Sequence, residues 1–254
     1  MAIARSEPFP EQACPRGICD GSGWILGPED VARPCECREQ RLRRGRSKGV
    51  ASVIPPRYRG VSFDRPPVSD MARDMETKGA VEAARLYVEE LDEHLQNGRG
   101  LWLFGDTGTG KTTLAMLIAK AALEAGHTVA IYSVPKLLTR IRRIYDSEPG
   151  DMSYSQFFER LTAVDLLVLD DLGAERHTDW VIEQLYSIVN ERYEMERSII
   201  ASSNPPLTDA ERRSTESASP SVETQIGART FSRLVEICRE IPLFGTDRRY
   251  GRAA

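Results

Sequence analysis

The sequence predicts an α/β fold with five parallel strands between helices, preceded by a small cysteine-containing module. Three observations support this prediction: a phosphate-binding motif between an apolar run and a helical pattern, further apolar runs separated by helical patterns, and two close cysteine pairs near the N-terminus. With 254 residues, the chain is long enough for one sizeable core and a small appendage.

Five apolar runs are interpreted as the strands, because helical patterns separate them along the chain. They are Leu101–Phe104, Thr128–Ser133, Asp165–Asp170, Ser198–Ser203 and Glu240–Phe244. An amphipathic helix is predicted over Thr77–Gln96, and a loop over residues 209–225, which are rich in Ser, Thr and Glu. Ligand chemistry is expected at the carboxyl ends of such parallel strands.

The strongest motif is a phosphate-binding loop. The pattern G-x-x-x-x-G-K-[ST] is matched by Gly105, Asp106, Thr107, Gly108, Thr109, Gly110, Lys111 and Thr112. Its glycines let the backbone wrap phosphates with N–H groups, and the helix that follows adds partial positive charge. Lys111 is expected to reach the β- and γ-phosphates of ATP, and the Thr112 hydroxyl to bind Mg²⁺.

Polar residues follow two of the other strands. Asp170 is placed to hold Mg²⁺, and Asp171 to orient and deprotonate the attacking water. A kinase must exclude water, so the second acid favours an ATPase over a small-molecule kinase. Asn204 is positioned to hydrogen-bond that water or the γ-phosphate. The alternative for the two acids is an ordinary helix-start aspartate after a strand, and the alternative for Asn204 is a turn asparagine before proline.

Two arginines near the last strand are a further candidate. Arg229 and Arg233 are four residues apart on one helical face. An arginine projected into the nucleotide site of a neighbouring subunit would stabilise charge in the transition state. A surface arginine pair is the alternative.

Four cysteines form two pairs, Cys14 with Cys19 and Cys35 with Cys37. Two thiolate pairs can surround one tetrahedral Zn²⁺, which replaces a core that so short a segment cannot build. Four reduced thiols are the alternative.

No apolar run approaches the ~18 residues that span a membrane, and the N-terminus lacks a signal-peptide core. The expected location is therefore cytoplasmic, where disulfides are rare.

The net charge of −4 gives no overall argument for nucleic-acid binding, so such binding needs a local patch. Residues 33–59 carry a local net charge of +7. This stretch is either a solvated linker or a contact with nucleic-acid phosphates or an acidic partner. The expected organisation is a zinc-binding module over residues 1–45, a basic linker over 46–65 and an ATPase domain over 66–254.

These motifs together resemble the AAA+ ATPases of the bacterial helicase-loader type, DnaC and DnaI, and the related transposition ATPases of the IstB type. The resemblance covers residues 54–250. It is carried by the phosphate loop, Asp170-Asp171-Leu172-Gly173, Ser202-Ser203-Asn204, Gly227-Ala228-Arg229-Thr230-Phe231-Ser232-Arg233-Leu234, and the segment Ile54-Pro55-Pro56-Arg57-Tyr58-Arg59-Gly60 with Phe63. The cysteine module is similar to the N-terminal zinc domain of loader proteins.

The resemblance implies roles for several cations. It implies that Arg233 enters the nucleotide site of a neighbouring subunit as the trans-acting arginine, with Arg229 as the second candidate. Arg249, or else Arg248, would sense the bound nucleotide, and the helical lid would be absent or vestigial. On the predicted helix Pro135–Tyr145, the cations would contact single-stranded DNA, with a solvated face as the alternative; they are Lys136, Arg140, Arg142 and Arg143.

The function implied by the resemblance is ATP-dependent loading of a replicative DNA helicase onto single-stranded DNA. Chains would associate with one another through the ATP site, and no membrane partner is expected. An IstB-like ATPase that regulates DNA transposition is the first alternative, and a small-molecule P-loop kinase is a remote one.

Overall fold

The chain divides into two units, residues 1–48 and residues 49–254. The computed structural model describes residues 14, 17–27, 31–38, 54–146, 151–204, 207–208 and 220–249. Within these ranges, no helix is both long and apolar enough to cross a membrane.

The N-terminal unit contains a two-stranded antiparallel sheet. Strand β1 (Trp24–Leu26) pairs with β2 (Ala32–Pro34). The buried cluster of the described part of this unit consists of Cys14, Cys35 and Cys37, with Cys19 packed against it. Cysteine side chains therefore take the place that aliphatic side chains fill in a larger core.

The larger unit begins with a short 3₁₀ turn, Pro56–Tyr58. Its helices and strands then follow in this order: α1 (Val68–Met71), α2 (Lys78–Glu89), α3 (Leu91–Gln96), β3 (Gly100–Gly105), α4 (Lys111–Glu124), β4 (Val129–Ser133), α5 (Val134–Tyr145), α6 (Tyr154–Ala163), β5 (Leu166–Leu172), α7 (Asp179–Glu194), β6 (Ser198–Ser203), α8 (Val222–Ile226), α9 (Ala228–Ile237) and β7 (Cys238–Leu243).

The five strands of this unit form one parallel sheet in the order β4-β5-β6-β3-β7, which confirms the predicted fold. Both faces of the sheet are covered by helices. Along β5, Leu166 and Val168 pack into the cluster that includes α2 and α4, whereas Leu167 and Leu169 pack into the cluster that includes α5 and α7. This alternation explains why the run over residues 166–169 of β5 is apolar at every position.

The prediction of one continuous helix over Thr77–Gln96 is wrong. The structure has two helices, α2 and α3, which meet at Glu90 with φ −105° and ψ 26°. The break is accompanied by burial of Leu91 and by stacking of His94 on Tyr87 with ring centroids 4.5 Å apart. These are tertiary contacts that an amphipathic pattern does not specify.

The end of the predicted loop over residues 209–225 is also corrected, because α8 starts at Val222. The Ser221 hydroxyl accepts a hydrogen bond from the Thr224 N–H at 3.1 Å, and Val222 and Ile226 are buried. A serine cap and two buried apolar residues explain this short helix. Residues 209–219 lie outside the described residues.

Residues 54–65, which were expected within the linker, pack on the core of the larger unit. Ile54 and Val61 are buried in its hydrophobic cluster, and Tyr58 and Phe63 pack against that cluster. Because these apolar side chains are removed from water, the packed unit begins upstream of residue 66. Residues 46–53 lie outside the described residues.

Candidate nucleotide site and cysteine cluster

The phosphate loop connects β3 to α4 at the carboxyl edge of the sheet. Its backbone requires glycine at both ends. Gly110, which precedes α4, has φ +112°, and Gly105 has φ +147°. A Cβ on Gly105 would lie 1.8 Å from the carbonyl oxygen of Leu243, so no larger residue fits there.

Lys111, the first residue of α4, lies folded into this loop. Its Nζ donates hydrogen bonds to the carbonyl oxygens of Gly105 at 2.7 Å and Asp106 at 2.6 Å. Burial lowers the pKa of Lys111, and the Asp106 carboxylate opposes part of that shift. The ammonium group thus donates to two neutral carbonyl oxygens. In the phosphate-binding motif, phosphate oxygens are the expected acceptors for this lysine.

Asp170 is the centre of a hydrogen-bond network at the ends of β5 and β6. Its Oδ1 accepts hydrogen bonds from Thr112 Oγ1 at 2.9 Å and from Ser202 Oγ at 2.5 Å, and the residue is buried. The carboxylate and hydroxyl oxygens gathered here are the ligand type that Mg²⁺ prefers, so this donor set fits the ion. Ser202 was noted in the sequence only as part of a strand-end motif; its contact with Asp170 was missed.

Asp171 leaves the regular strand at a register shift between Leu169 and Leu172. Its backbone has φ +58°, a left-handed conformation that is uncommon for a residue with a side chain, and its N–H donates to Ser202 Oγ at 3.0 Å. The shift places Asp170 and Asp171 along the same cavity instead of on opposite faces. Burial and, after it, the Asp170 charge raise the pKa of Asp171, while Lys111 lowers it.

A cavity of about 300 Å³ joins these groups. Lys111 and Thr112, at the start of α4, line it together with Asp170, Asp171 and Asn204, which are candidate site residues from the sequence.

Arg57 and Tyr58 also line this cavity, and sequence reasoning did not assign them to the site. The signal that could have found them was the Ile54–Gly60 segment, which carried part of the family resemblance. Burial raises the pKa of Tyr58, so its hydroxyl stays protonated.

The two C-terminal arginines have different surroundings. Arg249 lines the cavity, and its guanidinium pairs with Asp247 at 2.6 Å. Arg248 instead reaches Asp74 and donates to Thr77 Oγ1 at 3.0 Å. Of the two candidates from the sequence, Arg249 is the one beside the nucleotide cavity.

Arg229 and Arg233 do not line the cavity of their own chain. The Arg233 guanidinium lies over the Tyr193 ring, 4.0 Å from its centroid, and its Nη1 is 3.9 Å from Glu236. Arg229 is exposed on α9. The structure therefore places both arginines on α9 and away from the cavity.

Helix α5 turns its apolar stripe inward, with Leu137 and Ile141 buried. Among its cations, Lys136, Arg142 and Arg143 are exposed, and Arg140 is half-buried. Two of these cations stack on aromatic rings of other elements. Arg140 lies 5.0 Å from the Phe157 ring centroid, and Arg142 lies 4.6 Å from that of Trp180.

In the N-terminal unit, the structure brings all four predicted zinc ligands together. The ligand atoms of Cys14, Cys19, Cys35 and Cys37 lie within 4.8 Å of one another. Cys14 Sγ is 3.9 Å from Cys35 Sγ, and Cys19 Sγ is 3.5 Å from Cys37 Sγ.

These separations suit a metal ion. Zn–S bonds of about 2.3 Å in a tetrahedron place the sulfur atoms about 3.8 Å apart, so the cluster fits one Zn²⁺. Burial raises the pKa of Cys37 to about 12, so its thiolate needs a nearby cation at neutral pH.

The sheet order, the phosphate loop and the paired aspartates define the larger unit as a P-loop ATP-binding domain of the AAA+ type. Residues 68–217 match the profile of the family described as IstB-like ATP binding protein, and the chain belongs to that family. The family resemblance predicted from the motifs is thereby confirmed.

The chain is 25% identical over 192 residues to "Replicative helicase loader DnaI" of Bacillus subtilis (strain 168), covering 75% of this chain and 59% of that protein. It is 28% identical over 161 residues to "Replicative helicase loader DnaC" of Escherichia coli (strain K12), covering 63% of this chain and 62% of DnaC. The chain thus spans about three fifths of each loader. Protein YdaV of the same strain is 31% identical over 199 residues, with 78% of this chain and 75% of YdaV covered.

Two solved structures illustrate the likeness in fold. The crystal structure of the DnaC helicase loader superposes with a TM-score of 0.60 at 25% identity, covering 74% of this chain and 99% of that one. AMPPCP-bound DnaA from Aquifex aeolicus superposes with a TM-score of 0.56 at 19% identity, covering 76% of this chain and 51% of that one. The second likeness shows a shared fold only.

Proposed function

We propose that the protein is an ATPase that loads a replicative DNA helicase onto single-stranded DNA. The observation that carries this proposal is its similarity to two proteins named replicative helicase loaders, in the same unit that contains the nucleotide cavity. The cysteine cluster adds support, because the sequence resembles loader proteins in that module as well.

In the proposed nucleotide site, phosphate oxygens replace the Gly105 and Asp106 carbonyls as acceptors for Lys111. Thr112 and Asp170 hold Mg²⁺, which when bound would neutralise charge on the transferred phosphate. Asp171 accepts a proton from the attacking water, and its raised pKa suits a general base. Asn204 orients that water at the end of β6.

The proposed active form is an assembly in which neighbouring chains meet at the ATP site. Arg233, with Arg229 as the alternative, would enter the cavity of the next chain and stabilise the transition state. Its position on α9, away from its own cavity, supports action between chains. To act in this way, Arg233 must leave the Tyr193 ring, whereas Arg229 is already exposed.

The proposed DNA contact is the outward face of α5. Lys136, Arg140, Arg142 and Arg143 can pair with phosphates, and the partly exposed Trp180 ring beside Arg142 can stack on a base. The N-terminal module, held by Zn²⁺ on its four cysteines, would bind the helicase.

A loading assay tests this function directly. The full chain is mixed with the host replicative helicase, ATP and circular single-stranded DNA, and helicase retained on the circle is measured. We expect retention to increase with the wild-type chain and to stay at the background level with Lys111→Ala. Lys78→Ala, which removes an exposed lysine on α2 outside the cavity, is the matched control and should behave as wild type.

A second candidate is an ATPase that regulates DNA transposition, which the match to the IstB-like family favours because the motifs resemble transposition ATPases of the IstB type. The two functions predict different partners. A regulator of transposition would bind duplex DNA in preference to a single strand of equal length, and would neither bind nor load the helicase. That combination of results would replace the loader proposal.

A further inference from the structure

The segment that follows β7 lies directly on the phosphate loop. The Gly245 N–H donates to Asp106 Oδ2 at 3.1 Å, and the Arg248 N–H donates to the Gly108 carbonyl at 3.2 Å. Asp247 contacts the same glycine, because a Cβ on Gly108 would lie 1.9 Å from Asp247 Oδ1. A carboxylate is therefore fixed against the loop that is expected to receive phosphate.

This carboxylate holds the arginine that lines the cavity. Arg249 Nε is 2.9 Å from Asp247 Oδ1, and Nη2 is 2.6 Å from Oδ2, so the pair is bidentate. The backbone N–H of Arg249 also donates to Asp247 Oδ1 at 2.9 Å. The backbone bond keeps Asp247 in place whether or not the guanidinium stays with it.

We propose that Asp247 competes with the nucleotide phosphates for the Arg249 guanidinium and thereby sets the affinity for ATP. This inference rests on the proposed nucleotide site and on the nucleotide-sensing role that the family resemblance implies for Arg249. In the paired state, Asp247 keeps Arg249 at the wall of the cavity. In the bound state, the guanidinium turns to the phosphate while Asp247 and the backbone of the segment remain on the loop.

The exchange is physically favourable for two reasons. The Arg249 side chain is 59% exposed and that of Asp247 is 20% exposed, so water reaches the guanidinium and screens the ion pair. A phosphate carries more charge than a carboxylate and accepts the same bidentate pattern of N–H donors. Arg249 also lowers the pKa of Asp247, so the competitor is ionised at neutral pH.

The test is a double-mutant cycle on the full chain, read as the dissociation constant of fluorescent mant-ATP with Mg²⁺. Asp247→Asn keeps an oxygen for the backbone N–H of Arg249 but weakens the ion pair. We expect it to bind mant-ATP about threefold to fivefold more tightly than wild type, in the range that a solvent-screened ion pair supplies. Combined with Arg249→Ala, the same change should give little or no gain. Glu240→Gln removes an exposed charge elsewhere and should have no effect.

Three outcomes contradict the inference, and they can be told apart. Unchanged affinity in Asp247→Asn would show that the pair does not restrain Arg249. An equal gain with and without Arg249 would show that Asp247 acts only through its charge near the loop. Unchanged affinity in Arg249→Ala alone would remove the proposed role of Arg249, and the inference with it. Circular dichroism of each variant checks that it is folded.

Discussion

Thr112 and Asp170 are 58 positions apart in the chain, yet Thr112 Oγ1 donates a hydrogen bond to Asp170 Oδ1 at 2.9 Å. The contact joins the start of α4 to the end of β5, and it brings together the two residues assigned to Mg²⁺ from sequence. Ser202 Oγ on the neighbouring strand β6 also donates to Asp170 Oδ1 at 2.5 Å. Three elements of the fold therefore converge on one carboxylate at the base of the cavity.

The zinc prediction is the simplest to check. Protein purified without chelators should contain one Zn²⁺ per chain by elemental analysis, because four thiols fit one closed tetrahedral site. Replacing Cys35 and Cys37 with Ser should release the metal and unfold residues 14–37, while ATP binding by the other unit persists.

Cys238→Ala is the matched control for the cysteine variants. Cys238 is buried at the start of β7, outside the cluster, so its replacement should leave the zinc content unchanged. Wild-type protein purified in this way without zinc would contradict the assignment of the four ligands.

The paired aspartates predict a pH dependence of ATP hydrolysis. Burial and the Asp170 charge raise the pKa of Asp171 above the usual aspartate value of about 4. A general base must be ionised, and kcat/KM reports the pKa of the free enzyme, so kcat/KM should fall as the pH decreases through this raised pKa. The pH profile of kcat/KM should therefore show an acid limb with a midpoint above about pH 4, wherever the chain stays folded. A flat profile down to that pH would exclude Asp171 as the titrating base.

Action of Arg233 between chains predicts complementation. Arg233→Ala and Lys111→Ala should each be inactive alone, but a mixture should regain part of the ATPase activity. In the mixture, Arg233 from a Lys111→Ala chain can serve the intact phosphate loop of its neighbour. A mixture that stays inactive while the two variants co-assemble would argue that Arg233 does not act in trans. The same mixture with Arg229→Ala tests the alternative residue.

The basic face of α5 predicts salt-sensitive binding of single-stranded DNA. Replacing Arg140, Arg142 and Arg143 with Gln should weaken this binding and flatten its dependence on salt, because fewer counterions are released. ATP hydrolysis without DNA should change little.

A second triple variant controls for net charge in the DNA experiment. Arg65, Arg73 and Arg239 are exposed and lie outside α5, so their replacement with Gln removes the same charge elsewhere. Equal weakening by both triple variants would show that α5 is not a specific contact.

The features that could be predicted from the sequence are those formed by residues close together in the chain. The phosphate loop and the positions of the five strands along the chain follow from short patterns, because each is formed by residues that are adjacent in sequence. The four cysteines were also recognisable, since two close pairs in a short segment suit one metal.

Contacts between distant segments could not be predicted in the same way. Arg248 contacts Asp74 across 174 positions, and Asp247 lies against Gly108, so no local pattern links these residues. The same limit explains why Arg57 and Tyr58 were not assigned to the cavity. The break in the predicted helix at Glu90 is accompanied by stacking of His94 on Tyr87 and by burial of Leu91, which an amphipathic pattern does not specify.

The most direct test of the proposed ATPase site compares nucleotide binding with hydrolysis in two variants, Lys111→Ala and Asp171→Asn. Lys111 is placed to contact phosphate in the ground state, whereas Asp171 is placed to act on water. Equilibrium binding of mant-ATP and steady-state release of phosphate are measured for each. Asp64→Asn, an exposed acid outside the cavity, is the control and should match wild type in both. We predict that Lys111→Ala loses binding, and that Asp171→Asn binds normally but hydrolyses ATP at least about 100-fold more slowly. Equal loss of binding in both variants, or normal hydrolysis by Asp171→Asn, would contradict the proposed ATPase mechanism.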